Sequence, residues 1–359
     1  MNERIPSPQI TTIIPTYRRP QLLRRAIQSV LNQTYPDFQV CVYDNASGDE
    51  TAEVVAEFAK KDSRVKYHCH AENIGAVANF NYGMAQVDTP YFSFLSDDDI
   101  VLPDFYATTL AGFTLHPDAI FSAGEVIEMT EQGEVVKAPL HTWSREGYFT
   151  PPEGLLEMIR VKPPILTGIL FRRELIEQFG FFDDNIDIND YDLELRVGAR
   201  FPFIVNRKLC GIFVLQTTSY SVNKGTSFLY HGYPQTLAKL KNDTRISTAV
   251  REQGSQELTA WLKRLTFRSG LFLVSTKDFE EVGKIAELLA SQYQLYTKGR
   301  FLRLLVWLGK HFGFLSQLLA LIYAFRKAKA KQRNQHLQDD FGNVSSYLSS
   351  IVMQLENKQ

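Results

Sequence analysis

Over the first hundred residues, apolar and polar positions switch repeatedly between two periods. Residues 9–14 form an apolar, β-branched run and predict a buried strand. Pro20 suits the first turn of a helix, and Leu22, Leu23, Ala26, Ile27, Val30 and Leu31 then recur at helical spacing. Residues 38–43 predict a second strand, running into Asp44-Asn45-Ala46-Ser47-Gly48-Asp49, a turn rich in helix-capping groups. A helix follows over 50–60, with Val54, Val55 and Phe58 inward. Then come a short strand over 65–68, a helix over 75–86 and a strand over 90–95 that ends at Ser96-Asp97-Asp98-Asp99. This order predicts a mostly parallel sheet covered on both faces. Residues 100–230 mix shorter strands, loops and a helix over 173–179. Residues 234–297 read as helical, and no internal repeat interrupts the chain.

Polar clusters follow three of the early strands, at 15–19, 44–49 and 96–99. In open α/β sheets the carboxyl ends of the strands form the ligand crevice, so these clusters point to one shared site. The 359 residues suggest about two domains. We divide the chain into 1–232, with halves 1–100 and 101–232, and a helical C-terminal region over 233–359. Hydrophobic residues make up 44% and charged residues 22%, which excludes disorder of the whole chain. The 39 basic and 40 acidic side chains leave a net charge of -1, against a general nucleic-acid binder. Cys41, Cys69 and Cys210 lack both a disulfide framework and metal-ligand spacing, and are expected as buried free thiols in a reducing compartment. The first twenty residues contain no apolar stretch of the secretory kind. No run of 18 uninterrupted apolar residues predicts a membrane span, so a cytoplasmic location is expected.

Four constellations could carry chemistry. Asp97, Asp98 and Asp99 follow a buried strand, where three adjacent carboxylates repel one another. A divalent cation offsets that repulsion, and Mg²⁺ or Mn²⁺ prefers oxygen ligands. The alternative is a solvated acidic turn that caps a helix. Asp44 can accept a hydrogen bond from a base imide or a ribose hydroxyl, whereas Ser47 or Asp49 reads as a cap for the next helix. Asn73, Gly75 and Asn79 lie around a helix start, where close backbone approach and simple capping explain them equally. Asp190 and Glu194 share a helix face; Asp190 reads either as a general base or as an acid favoured by the helix dipole. The sequence has no GxGxxG after the first strand, no P-loop, no GxSxG elbow and no HExxH zinc signature.

Taken together, the segments resemble glycosyltransferase family 2 with the GT-A fold. IIPTYRRP resembles the family's opening strand and loop, and VYDNASGDET resembles its nucleotide-binding segment. NIGAVANFNYGMAQVDTPYFSFLSDDDIVLP resembles the stretch that ends in D-x-D-D-x-x-x-P. TGILFRRELIEQFGFFD and NDYDLELRV resemble the acceptor-side segment and the E-D motif. The resemblance covers roughly residues 9–200. It implies an α/β, Rossmann-like mixed sheet flanked by helices, with an α-helical C-terminal region. It further implies sugar transfer from a nucleotide-diphosphate donor, a UDP-sugar by expectation, to an acceptor hydroxyl by metal-assisted inverting displacement. Asp44 would contact the base, with Pro15, Thr16, Tyr17 and Arg18 lining the pocket, joined by Asn73, Gly75 and Asn79. Asp97 and Asp98 would hold the nucleotide sugar, Asp98 and Asp99 the Mn²⁺ or Mg²⁺, and Asp190 would act as catalytic base. The sequence departs from the family at Ser96, Ala78 and Asn189, which stand where the family has Asp, Arg and Glu. No Q-x-x-R-W segment is present, which disfavours a processive synthase. The rivals are a sugar nucleotidyltransferase, disfavoured because IIPTYRRP lacks glycine, and a catalytically silent nucleotide-sugar-binding scaffold.

The C-terminal region has a distinct composition. Between 288 and 338 there are nine Lys or Arg and no Asp or Glu. The apolar stretch 301–325 is interrupted by Arg303, Lys310, His311 and Gln317. Two readings stay open: core-packing helices with basic ends, or an interfacial pair on an anionic membrane at the inner face of the cell membrane. The second would suit a glycan or lipid-linked acceptor in cell-surface polysaccharide or glycolipid synthesis.

Overall fold

A computed structural model describes residues 8–180, 182–183, 185–186, 188–215, 226–312, 314–333, 335–341, 343–344, 346–347 and 349–351. The predicted alternation is realised as β1 (Ile10–Thr16), α1 (Pro20–Leu31), β2 (Phe38–Asp44), α2 (Thr51–Ala59), β3 (Val65–Cys69), α3 (Ala76–Ala85) and β4 (Tyr91–Phe94). Ile10, Ile13 and Ile14 of β1 are wholly buried, as are Val40 and Val42 of β2, which explains the largely apolar, β-branched character of both strands. Pro20 opens α1 at its first position, where no backbone N–H is required. The helix buries Leu23, Ala26, Ile27 and Val30 as its period demands.

The chain continues through β5 (Ile100–Val101), α4 (Phe105–Leu115), β6 (Phe121–Thr130), β7 (Val135–Lys137), β8 (Gly147–Phe149), α5 (Glu153–Arg160), β9 (Ile169–Arg172), α6 (Glu174–Phe179), α7 (Asn189–Gly198) and β10 (Phe203–Leu215). The strands form one sheet in the order β3-β2-β1-β4-β9-β6-β10-β5, with β7 on β6 and β8 on β10. Pairing is parallel from β3 to β4, as expected. Beyond β4 the sheet is mixed, as the resemblance implies: β9 runs antiparallel between β4 and β6, and β5 and β8 run antiparallel to β10.

By contacts the chain divides into two units. One comprises Met1–Asn185, Asn189–Thr217 and Leu337–Gln359; the other comprises Ile186–Ile188 and Thr218–His336. The second unit is helical, with α8 (Ser227–Tyr230), α9 (Gly232–Asn242), α10 (Thr248–Ser275), α11 (Phe279–Ser291), α12 (Tyr296–His311) and α13 (Phe314–Arg333); α14 (Gln335–Phe341) follows. The sequence reading runs the helical region to residue 359. Leu337 and Ile351 instead pack with Ile100, Ile127, Met129, Ile212 and Val214 in a core cluster of the sheet unit. Apolar side chains at these two positions explain the return. Cys41 and Cys210 are buried as expected; Cys69 is exposed, because β3 is the outer strand and ends there.

Candidate functional site

Parallel pairing decides where the polar clusters meet. Register sets Thr16 of β1 beside Asp44 of β2, and Ile13 of β1 beside Phe94 of β4. The carboxyl ends of β1, β2 and β4 therefore open on one edge of the sheet. The chain order reverses about β1, with β2 and β3 on one side and β4 on the other. This is the topological switch point at which such sheets bind ligands.

On one side of this crevice stands Asp44, buried among three donors. Its Oδ1 accepts from the Ser47 N–H at 2.9 Å and the Ser47 hydroxyl at 2.6 Å, and its Oδ2 accepts from the Tyr67 hydroxyl at 2.7 Å. A carboxylate offers about four acceptor positions, so about one is left for a ligand. Ser47 thus serves Asp44 rather than α2; Asp49 supports the helix start by accepting from the Thr51 N–H at 3.0 Å. Arg18 takes a left-handed conformation, φ 56°, that sends its N–H to the Ser47 hydroxyl and its Nε to the Ser47 carbonyl. Its guanidinium lies 5.1 Å from the centroid of the Tyr17 ring, which is exposed. Pro15 is half-buried beside them.

The turn before α3 is tied to the same strand end. Asn45 Nδ2 donates to Asn73 Oδ1 at 3.0 Å, and the Ile74 N–H donates to Asn45 Oδ1 at 2.8 Å. The Gly75 N–H donates to Asn73, at a backbone φ of 89° that suits glycine. Asn79 is buried and does not cap α3. Its Nδ2 donates to the Tyr43 carbonyl at 2.9 Å and its Oδ1 meets His70 Nε2 at 2.9 Å, locking α3 to β2.

Facing Asp44 across β1 is the carboxylate turn, whose three members have distinct environments. Asp97 is buried; its Oδ2 accepts from the Thr16 hydroxyl at 2.8 Å and its Oδ1 from Arg19 Nη1 at 3.3 Å. Burial pushes the Asp97 carboxyl up to about 6, against the pull of Thr16 and Arg19. Asp98 keeps a partly exposed side chain, and only its Oδ2 meets Arg19 Nη1, at 3.0 Å. Asp99 is turned into the sheet, where Oδ2 accepts from the Thr167 hydroxyl and Oδ1 from the Val214 N–H at 3.1 Å. Burial, with the charge of Asp98, holds its carboxyl well above the usual range.

Asp98 and Asp99, the two carboxylates expected to serve the metal, thus stand in different surroundings. Asp99 is buried with a donor on each oxygen, whereas Asp98 keeps a partly exposed carboxylate. Among the described residues no group of three or more His, Cys, Asp or Glu is arranged to hold a metal ion. A hard cation held by one carboxylate and by substrate phosphates still fits this donor set, since Mg²⁺ commonly uses one or two carboxylates.

Asp190 lies exposed in the first turn of α7, four residues before the buried Glu194. Among the described residues no hydrogen bond or ion pair joins Asp190 to the carboxylate turn. Burial, reinforced by the Asp190 charge, holds the Glu194 carboxyl well above its usual range, while Lys162 pulls it down.

Sequence reasoning missed Arg19, Arg25 and Tyr67. Arg19 stood in the polar loop already noted, but nothing local marks it as the bridge between Asp97 and Asp98. Arg25 hides on the helical face of α1. Its Nε and Nη2 are buried without a hydrogen-bond partner among the described residues, and burial lowers its pKa while Asp98 and Asp99 oppose the shift. Tyr67 sits on β3 level with Val42, two positions before the end of β2, and its reach to Asp44 depends on that register.

Comparison with known proteins follows the same outline. The family described as "Glycosyl transferase family 2" matches residues 11–180. The chain is 36% identical over 244 residues to the GalNAc(5)-diNAcBac-PP-undecaprenol beta-1,3-glucosyltransferase of Campylobacter jejuni, covering 67% of this chain and 76% of that one. Among solved structures, S. aureus TarS 1–349 in complex with UDP-GlcNAc superposes with a TM-score of 0.62 at 18% identity, covering 93% of this chain and 92% of that one. The mannosyltransferase PcManGT of Pyrobaculum calidifontis, in complex with GDP-Man and Mn²⁺, superposes with a TM-score of 0.52 at 15% identity, covering 86% and 88%. At those identities the two structures establish the fold, the helix-flanked mixed sheet of GT-A glycosyltransferases.

Proposed function

Because the chain belongs to glycosyltransferase family 2 and is a glycosyltransferase, we propose that its sheet-edge crevice binds a nucleotide-diphosphate sugar and delivers the sugar to an acceptor hydroxyl with inversion. The observation that carries this reading is the convergence of Asp44, Asp97 and Asp98 on the carboxyl ends of β1, β2 and β4.

In this reading the remaining acceptor position of Asp44 takes a base imide or ribose hydroxyl, with Tyr17 as the exposed ring beside it. Uracil is the favoured base. Pro15, Thr16 and Arg18 shape the loop, and Asn73, Gly75 and Asn79 fix the turn that closes it. Thr16 and Arg19 hold Asp97 and Asp98 in place. Asp98 would hold an Mn²⁺ or Mg²⁺ ion together with the donor diphosphate. Such an ion supplies Lewis-acid neutralisation of the departing charge. Asp190 takes the proton from the acceptor hydroxyl as its oxygen attacks the anomeric carbon. One base opposite the leaving group means single displacement and inversion. The Campylobacter relative's name specifies an undecaprenol-linked glycan, which supports a lipid-linked acceptor here, in polysaccharide or glycolipid assembly at the inner face of the cell membrane.

Thermal unfolding with UDP, GDP, dTDP or CDP, each with and without Mn²⁺, tests the donor site in wild type and Asp98→Asn. Ligand at 100 times its dissociation constant stabilises by about 2.7 kcal/mol. A shift of several degrees is expected for UDP with Mn²⁺, smaller in the variant. No shift with any nucleotide overturns the reading.

A further inference from the structure

We propose that α12 and α13 form a docking face by which the helical unit lies on an anionic lipid surface. This goes beyond the donor-site reading and does not depend on it.

The inference starts from which side of α12 is used inside the unit. Gly299, Leu302, Leu305 and Gly309 are buried. A Cβ on Gly299 would come 2.7 Å from the Ala286 carbonyl, so α12 approaches α11 backbone to backbone on that side. The remaining side presents Phe301, Leu304 and Trp307, three residues apart and each about half exposed at 46%, 50% and 52%. On α13, Leu318, Leu321 and Phe325 recur three and four apart and are 49%, 66% and 70% exposed. Single exposed apolar residues are ordinary; a stripe on each of two consecutive helices of one unit marks an interaction surface.

Charge selects the occupant. Nine Lys or Arg and no Asp or Glu lie between 288 and 338. Arg303 reaches back to Glu287, outside that span, so no acid within it balances the rest. A second copy docked face to face would set two basic segments together with no acid of residues 288–338 to offset them. A polyanion such as nucleic acid would leave the Phe, Leu and Trp side chains without apolar cover. An anionic bilayer accepts both features, with apolar side chains in the acyl boundary and basic groups at the headgroups. Trp307 is the type of side chain enriched at that boundary. Among the described residues no helix is long and apolar enough to cross a membrane, so the helices lie on the surface.

The test is co-sedimentation of the full chain with vesicles of equal parts phosphatidylglycerol and phosphatidylcholine, compared with phosphatidylcholine alone. Brominated lipid reads Trp307, and Trp307→Phe assigns the quenching. Binding to anionic vesicles at least ~10-fold tighter than to neutral ones, weakening with salt, is expected. Leu321→Glu with Phe325→Glu should abolish it. Both positions are exposed, and an unchanged melting temperature and UDP shift in that variant show that fold and donor site are intact. The proposal is overturned by an absence of vesicle binding, by equal binding to neutral vesicles, or by binding that the double variant retains. A concentration-dependent dimer lost in the variant, without lipid binding, overturns it in favour of a second copy.

Discussion

Asp97, Asp98 and Asp99 are chemically identical and adjacent, yet each is held by different atoms. Thr16 and Arg19 take Asp97, Arg19 alone takes one oxygen of Asp98, and Thr167 and Val214 take Asp99. Asp98 thus keeps the partly exposed carboxylate, while Asp99 fastens the turn to the far half of the sheet. At this scale Asp190→Asn is the sharpest probe of catalysis. It should lower kcat by about 10²–10⁴-fold, the range for loss of a general base, while the UDP-induced thermal shift is unchanged. Activity within a few-fold of wild type would assign the base elsewhere. Glu194 makes a separate prediction about pH. Burial raises its carboxyl pKa in the folded state, so the folded protein holds a proton that the unfolded chain releases near pH 4.5. Its contribution to stability is therefore greatest at low pH and is lost as pH rises through the folded value. Glu194→Gln should melt higher than wild type at pH 7, and the difference should shrink at pH 5.

Elements bring these residues together through register, and α3 shows how tightly. Gly83 of α3 lies where a Cβ would come 2.6 Å from Ile13 Cγ2 and 3.0 Å from the Tyr43 ring, both on core strands. Gly83→Ala should cost about 1–3 kcal/mol by overpacking, seen as a lower melting temperature. It should also weaken UDP binding, since Asn79 on the same helix bonds the Tyr43 carbonyl and His70. The parallel half of the sheet was legible because β1, β2 and β4 are mainly apolar and buried, each followed by a polar turn, and the helices between them have a clear period. That also exposed Asp44 and the carboxylate turn as parts of one edge. The antiparallel β9 was not legible: nothing in Ile169–Arg172 records that it inserts between β4 and β6. Nor was the fate of Asp99, because its partners lie 68 and 115 residues away and reach it only once β9 and β10 are in the sheet. Arg19 was equally hidden, since a loop arginine carries no periodicity to show which carboxylates it meets.

For the whole molecule, the chain leaves the sheet unit at β10 and rejoins it at Leu337, so the stretch after the helical unit is structural. In the fold, Leu337 and Ile351 complete the cluster around Ile127 and Ile212, and Gln338 Oε1 accepts from the Val135 N–H at 2.9 Å. The same strands lead to the site, because β10 supplies the Val214 N–H that holds Asp99. Loss of the tail should therefore register at the carboxylate turn as well as in overall stability. Leu337→Ala should cost about 2–5 kcal/mol, as for other buried leucines. Removing residues 337–359 should lower the melting temperature further and reduce the UDP-dependent shift. A truncated chain that melts and binds UDP like the full one would show that the cluster closes without the tail. A chain that melts lower but binds UDP unchanged would show that β10 keeps its grip on Asp99 when that cluster is opened.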